Sequence, residues 1–236
     1  WPDSLPANDL REAYLRELAR RGDWTTFRAL WKKSAAIDLQ CDELQARLAA
    51  GATLDYANDL APLWQGAHAL PDACDAVIAA ARGSGALTDA RVQERLDRAA
   101  ADGRSGVAAA AAALLAGADR VDANRIVAAL RDPVATFAQA KTWTDTPRVR
   151  DAIAYGIARY ARRNSAAAET AWADLQGRFQ WDDTQKNRVL NALALYRATS
   201  YSPDALARLD ALPSAADDDA TREWHVRVSL ARGEFK

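Results

Sequence analysis

Residues 132–163 read DPVATFAQAKTWTDTPRVRDAIAYGIARYARR, and their punctuation decides the fold. Asp132-Pro133 and Thr146-Pro147 each place a side-chain acceptor directly before a proline. Asp and Thr accept from the free N–H groups of a first helical turn. Proline's fixed φ suits the first helical position, where its missing N–H is no loss. These dipeptides predict helices over 133–141 and 147–163. Ser202-Pro203 repeats the signal and predicts another over 203–212, and further helices are expected after Ser165, Asp183 and Asp218.

The same grammar runs back to the other end. Residues 9–20 put Leu10, Ala13, Tyr14 and Leu18 on one helical face, and Gly22 closes that helix. Asp23 can cap a helix carrying Trp24, Phe27, Leu30 and Trp31. Helices over 38–50, 54–65 and 73–82 end at Gly51, Gly66 and Gly83, with others near 89–101, 105–116 and 122–131. Pro62 falls inside one of these, which implies a kink or a late start. No run alternates β-branched or aromatic residues between hairpin turns, so no strand is expected. The fold class is all-α, with about fourteen helices of roughly 10–16 residues joined by roughly 2–8 residues.

A weak repeat accompanies the pattern. LARRGDW (18–24) and LARGEF (230–235) share Leu-Ala-Arg, a turn glycine, an acid and an aromatic, and RLAAGATLDYA, AAADGRSGVA and LLAGADRVDA echo it. Hairpins recurring at about 30–40 residues indicate an α-solenoid or superhelix, in which each hairpin buries its apolar face on its neighbours. A globular all-α domain is the less favoured alternative. Residues 1–236 are read as one α-superhelical domain.

Bulk properties exclude several classes. Half of the 236 residues are hydrophobic and 27% are charged, which excludes wholesale disorder. A net charge of −1 with the signs interspersed does not favour nucleic acid as a partner. No run is long and apolar enough for a transmembrane segment, the Ala-rich 107–116 included. The chain has no Met, opens WPDSLP without a leader-like pattern and stops after SLARGEFK, so it is read as a processed or excised piece of a longer protein.

No catalytic motif stands out. Nucleophile-elbow and phosphate-loop patterns are absent. His68 and His225 are read as surface or packing residues, and two His with two Cys give no metal-ligand spacing, so no cofactor or metal is expected. Asp182-Asp183 and Asp217-Asp218-Asp219 precede predicted helices, where acids cap free N–H groups. Eight Trp suggest core wedges between hairpins, with at most one or two facing a ligand. Arg148, Arg150, Arg159, Arg162 and Arg163 give one region a basic tint, which suits either an anionic polymer or a solvated helix face. Cys41 and Cys74, the sole cysteines, each stand near a helix start one hairpin apart. That placement suggests a staple in an oxidising compartment; two buried free thiols remain the alternative.

The cysteine region carries a family resemblance. Gln40-Cys41, Leu63-Trp64 and Pro71-Asp72-Ala73-Cys74-Asp75 follow one another as in the superhelical, non-catalytic region of the soluble lytic murein transglycosylase family. The cysteine separation of 33 residues fits that family. RVQERLDRAAADGRSGVAAAAAALL resembles its next hairpin, REWHVRVSLARGEFK a later one, and LRELARRGDW an earlier one; residues 117–215 match in helix–turn–helix grammar alone.

The resemblance implies a Cys41–Cys74 disulfide and a periplasmic enzyme of Gram-negative bacteria, associated with the cell wall or outer membrane. Such enzymes cleave the MurNAc–GlcNAc bond of peptidoglycan with formation of 1,6-anhydro-MurNAc. Their catalytic Glu lies in a Glu-Ser motif of a C-terminal lysozyme-like domain, and none of the seven Glu here is followed by Ser. No catalytic residue transfers. The implied role is a scaffold, with the glycan strand and the C-terminal catalytic domain of the same protein as partners. A tetratricopeptide-like protein-interaction module is the alternative. A polar face with Arg and exposed Trp would favour the first, and an apolar groove the second.

Overall fold

The structure is a computed structural model that describes residues 5–66 and 68–234. Among the described residues there are fourteen α-helices and no strand, as the punctuation implies. The helices range from four to seventeen residues, so several are shorter than expected. Packing gathers the chain into two compact units, one ending at Arg95 and the other beginning at Leu96.

The first unit opens with α1 (Leu5–Arg21), α2 (Trp24–Leu30) and α3 (Ile37–Ala49). Gly22 turns the chain at φ +70°, and the Asp23 carboxylate then accepts from Thr26 N at 3.1 Å to cap α2. Leu15, Leu18, Phe27, Leu39 and Ala46 form the buried cluster beneath these helices. Phe27 stacks on Trp31 at 5.6 Å and meets Trp24 edge-on at 6.0 Å, so two predicted wedges act as such.

The expected helix over 54–65 is split. A π-helical turn, Tyr56–Leu60, runs into the short α4 (Ala61–Trp64). Pro62 sits at the start of α4, the late start that a missing N–H requires. A 3₁₀ turn, Asp72–Cys74, leads into α5 (Asp75–Gly83), and α6 (Asp89–Ala101) spans the division.

The second unit contains α7 (Ser105–Ala113), α8 (Gly117–Arg131), α9 (Pro133–Ala140), α10 (Pro147–Ala161), α11 (Ser165–Leu175), α12 (Asp183–Thr199), α13 (Ala205–Asp210) and α14 (Asp219–Arg232). Each of α7 to α13 packs on the next helix. The even-numbered helices pack in sequence, α8 on α10, α10 on α12 and α12 on α14. This nearest-neighbour pattern is the α-solenoid arrangement that repeated hairpins produce.

Asp132 and Thr146 accept from Ala135 N and Val149 N, so both expected cap–Pro openings form. At Ser202-Pro203 the expectation fails. Ser202 O accepts from Ala205 N in a turn, and α13 starts later, behind Asp204. The Asp204 carboxylate is taken by Arg197 and Arg208 instead of the helix end. The 105–116 helix stops at Ala113, where Leu114 and Leu115 tighten onto Ala111 O and Ala112 O, and the 122–131 helix begins earlier, at Gly117.

Candidate functional site

Two places concentrate structure beyond ordinary packing, one in each unit. In the first, Cys41 in α3 and Cys74 at the end of the 3₁₀ turn are each 1% exposed, with Cα atoms 4.9 Å and Sγ atoms 2.01 Å apart. Gln45 Nε2 donates to Ala73 O at 2.5 Å, fixing the 3₁₀ turn against α3. Beside it, the buried Arg95 gathers a turn of backbone. Its guanidinium donates to Trp64 O, to Gly66 O at 3.0 Å and to His68 O at 2.8 Å, and lies 4.7 Å over the Trp64 ring. Trp64 Nε1 in turn donates to Arg91 O at 2.9 Å. Three backbone carbonyls of one turn are thus served by one fork-shaped cation. These groups hold backbone; none of them is arranged around a substrate-sized opening.

The opening lies in the second unit. An open groove of about 560 Å³ is lined by α10 and α12 together with residues 100–103 and with Ala215, Ala216 and Asp218. Tyr155, Arg159 and Arg162 fall at i, i+4 and i+7 on one face of α10, and Thr184, Asn187, Arg188 and Asn191 form the matching stripe of α12. The opposite faces, Val149, Ile153 and Ile157 on α10 with Val189 and Leu193 on α12, are buried in the core. The polar residues of the two helices line the groove together with Ala158, Ala192 and Leu195.

Electrostatics set this groove apart. Arg148 of the predicted basic region is spent on Asp97 (2.9 Å) and Asp151 (3.1 Å), and Gln185 Nε2 donates to Asp151 at 2.9 Å. Arg150 faces Asp145 at 3.5 Å and donates to Gln180 O. Arg163 is exposed and does not line the groove. Arg159 and Arg162 do line it, joined by Arg188. Arg188 lies 4.2 Å over the Tyr155 ring, a cation–π contact that fixes its direction. Burial, and after it the charge of Asp97, pushes the Tyr155 phenol up to about 12, so it stays a neutral donor. Two acids border the groove. Asp218 is occupied as the α14 cap, accepting from Thr221 N at 2.9 Å, and Asp102 lies 3.7 Å from Arg104.

The remaining expected residues are elsewhere. Asp182 and Asp218 both form capping boxes, with Gln185 and Thr221 respectively, and Asp183 and Asp219 stand in first turns. His225 Nε2 is 2.8 Å from Asp210 at the surface. All seven described Trp are buried or half-buried, so the groove's aromatic rings are Tyr155 and Tyr196, not Trp. Arg188, Asn187 and Asn191 were missed in the sequence because α12 was read for its caps alone; their i, i+1 and i+4 spacing was the available signal. Phe235, the aromatic of the last repeat segment, lies outside the described residues.

Relatives place this architecture. The chain is 27% identical over 237 aligned positions, 99% of its length, to the soluble lytic murein transglycosylase of Escherichia coli K12, and 26% identical to that of Salmonella typhimurium. The chain is homologous to part of the soluble lytic murein transglycosylases. It spans 36% of the length of these relatives. An inactive variant of the lytic transglycosylase Slt from Pseudomonas aeruginosa is 25% identical, with a TM-score of 0.71 over 95% of this chain and 36% of that one. The 70-kDa soluble lytic transglycosylase of Escherichia coli, 22% identical, shares the fold with a TM-score of 0.69 over 97% of this chain and 43% of its own. No protein-family profile matches the chain. No described helix of this transglycosylase homologue is long and apolar enough to cross a membrane.

Proposed function

We propose that the chain is the superhelical scaffold region, residues 1–236, of a periplasmic peptidoglycan lytic transglycosylase. It positions or guides the glycan strand for a catalytic domain elsewhere in the same protein and does not itself cleave. The alignment of the whole chain to about a third of known murein transglycosylases carries this reading. The groove's Arg159, Arg162, Arg188, Asn187 and Asn191 support it, since a peptidoglycan strand offers oxygen acceptors to such donors. The same reading makes Cys41–Cys74 a native disulfide formed in an oxidising compartment, for which the 4.9 Å Cα separation is suitable.

A specific observation favours the protein-interaction reading as the second choice. Val226 and Leu230 are exposed on α14 beside Leu206 and border a smaller groove of about 250 Å³. Co-sedimentation of the purified chain with murein sacculi, followed by mass spectrometry of the supernatant, separates the two. Binding without anhydro-muropeptide release is expected. Failure to co-sediment shifts the assignment to the protein-interaction module. Release above a heat-denatured control reveals an active site within the chain.

A further inference from the structure

We propose that the α10–α12 groove is a subsite for the carboxylates of the peptide stems on a glycan strand, rather than for the sugars themselves. The inference rests on the scaffold reading above and adds which part of the polymer is recognised. Peptidoglycan sugars are largely uncharged; the strand's negative charge is carried by short peptides attached to the lactyl group of every second sugar. A site for the sugars alone has little use for cations, whereas a site for the stems needs guanidinium groups, whose planar forks match carboxylates.

The groove supplies such groups, and the protein has left them available. Arg159, Arg162 and Arg188 line one opening, and none of the three makes a salt bridge among the described residues. Close by, Arg148, Arg150, Arg197 and Arg208 are each matched with an acid. Three arginines against the two bordering acids, Asp102 and Asp218, which are engaged by Arg104 and Thr221, leave the groove cationic, and a carboxylate ligand lowers the repulsion among the three guanidinium groups.

The arginines are also held in place. Arg188 rests on the Tyr155 ring, and Arg159 runs against Gly103, where a Cβ would come within 3.5 Å of its Cδ and Nη1. Ordered before binding, these side chains lose little freedom when a ligand arrives. Neutral donors stand beside them in Tyr155 and Asn187, suited to the amide carbonyls of a peptide.

The test uses the whole chain and two soluble probes in a fluorescence-anisotropy titration: uncrosslinked glycan strands bearing stem peptides, and the same strands stripped of peptide by an amidase. Stem-bearing strands are expected to bind roughly tenfold or more tightly than stripped ones, with the difference shrinking as salt rises. Arg162→Glu, at an exposed position, is expected to abolish that difference while leaving the helical circular dichroism and Tm unchanged. Arg159→Gln with Arg188→Gln is the second variant, so that a folding defect in one does not decide the outcome. Equal binding of both strands, unaffected by either variant, overturns the subsite and leaves the scaffold reading standing. Binding of neither strand overturns both. Equal affinity for an unrelated acidic peptide also overturns the subsite, and points to an acidic protein partner.

Discussion

Between Gly51 and Leu87 the chain advances in a π-turn capped by Asp55, a four-residue helix, a 3₁₀ turn and a short α5, and neither α4 nor α5 has a side-chain cap. Between Pro133 and Thr199 it advances in four helices of eight to seventeen residues, each opened by a side-chain cap from Asp132, Thr146, Asn164 or Asp182. The second stretch folds over one continuous apolar cluster from Phe137 to Leu193. The first is tied to its flanking helices where its own helix ladders are interrupted, with Cys74 beside Cys41 of α3 and Arg95 of α6 on its carbonyls. Helix grammar suffices where caps are good and the core is wide. Where it is broken, point fastenings replace it. The groove belongs to the second kind of region because only long regular helices can present two parallel polar stripes.

The largest effect that could break this comparison is at the cysteines. Closing a loop of this length is worth about 3–4 kcal/mol in the chain-entropy model. Reduction, or Cys41→Ser with Cys74→Ser, should therefore collapse amide-exchange protection across 37–83 while 147–199 stays protected. Equal loss in both stretches would show that the two regions are one cooperative structure. Two alkylatable thiols in the unreduced, denatured protein would remove the fastening altogether.

A smaller effect is expected from Asp42, 7% exposed in α3. Burial, with Asp38 nearby and only partial relief from Arg16, pushes its carboxyl up to about 6. A folded-state pKa above the unfolded value of about 3.9 means that the folded form binds the proton more tightly. The contribution is therefore fully present below about pH 4 and is lost as pH rises through about 6. Urea titrations should show Asp42→Asn removing this loss and stabilising the protein near neutrality. An unchanged pH profile in the variant would assign the burial cost elsewhere.

The smallest effect sharpens the account of the second region. Gly156 lies in mid-α10, where a Cβ would sit 3.0 Å from Ala129 Cβ and 3.1 Å from Phe137 Cε1. Alanine normally favours a helix over glycine by about 1 kcal/mol. Here overpacking against α8 and α9 should outweigh that gain, and Gly156→Ala should cost about 1 kcal/mol net. A raised Tm would mean that the helices can part without loss.

The regular region was the legible one. Asp132-Pro133 and Thr146-Pro147 announce their helices because cap chemistry and proline geometry act within four residues. Ser202-Pro203 misled because Asp204 was drawn off by Arg197 and Arg208, partners that local sequence does not place beside it. The split of 54–65 followed from Pro62, yet the π-turn before it gave no signal. The basic tint of 148–163 was half right. Pairing with Asp97, 51 residues from Arg148, decided which arginines are spent, and the sequence order does not show such a distance being closed. Arg188 joined the site for the same reason, from a helix read only at its ends.

The tryptophans that pack each region have an optical consequence. Trp172 and Trp181 stand 4.8 Å apart at 64°, close enough for their excited states to couple and give the second region its own near-ultraviolet dichroism. Trp64 lines the same small apolar hollow as Cys41 and Cys74, where the proposed disulfide would quench indole emission. Light absorbed by one molecule would then report on its two regions through separate channels: a dichroic band for the helix stack, and an emission expected to brighten on reduction of the proposed disulfide.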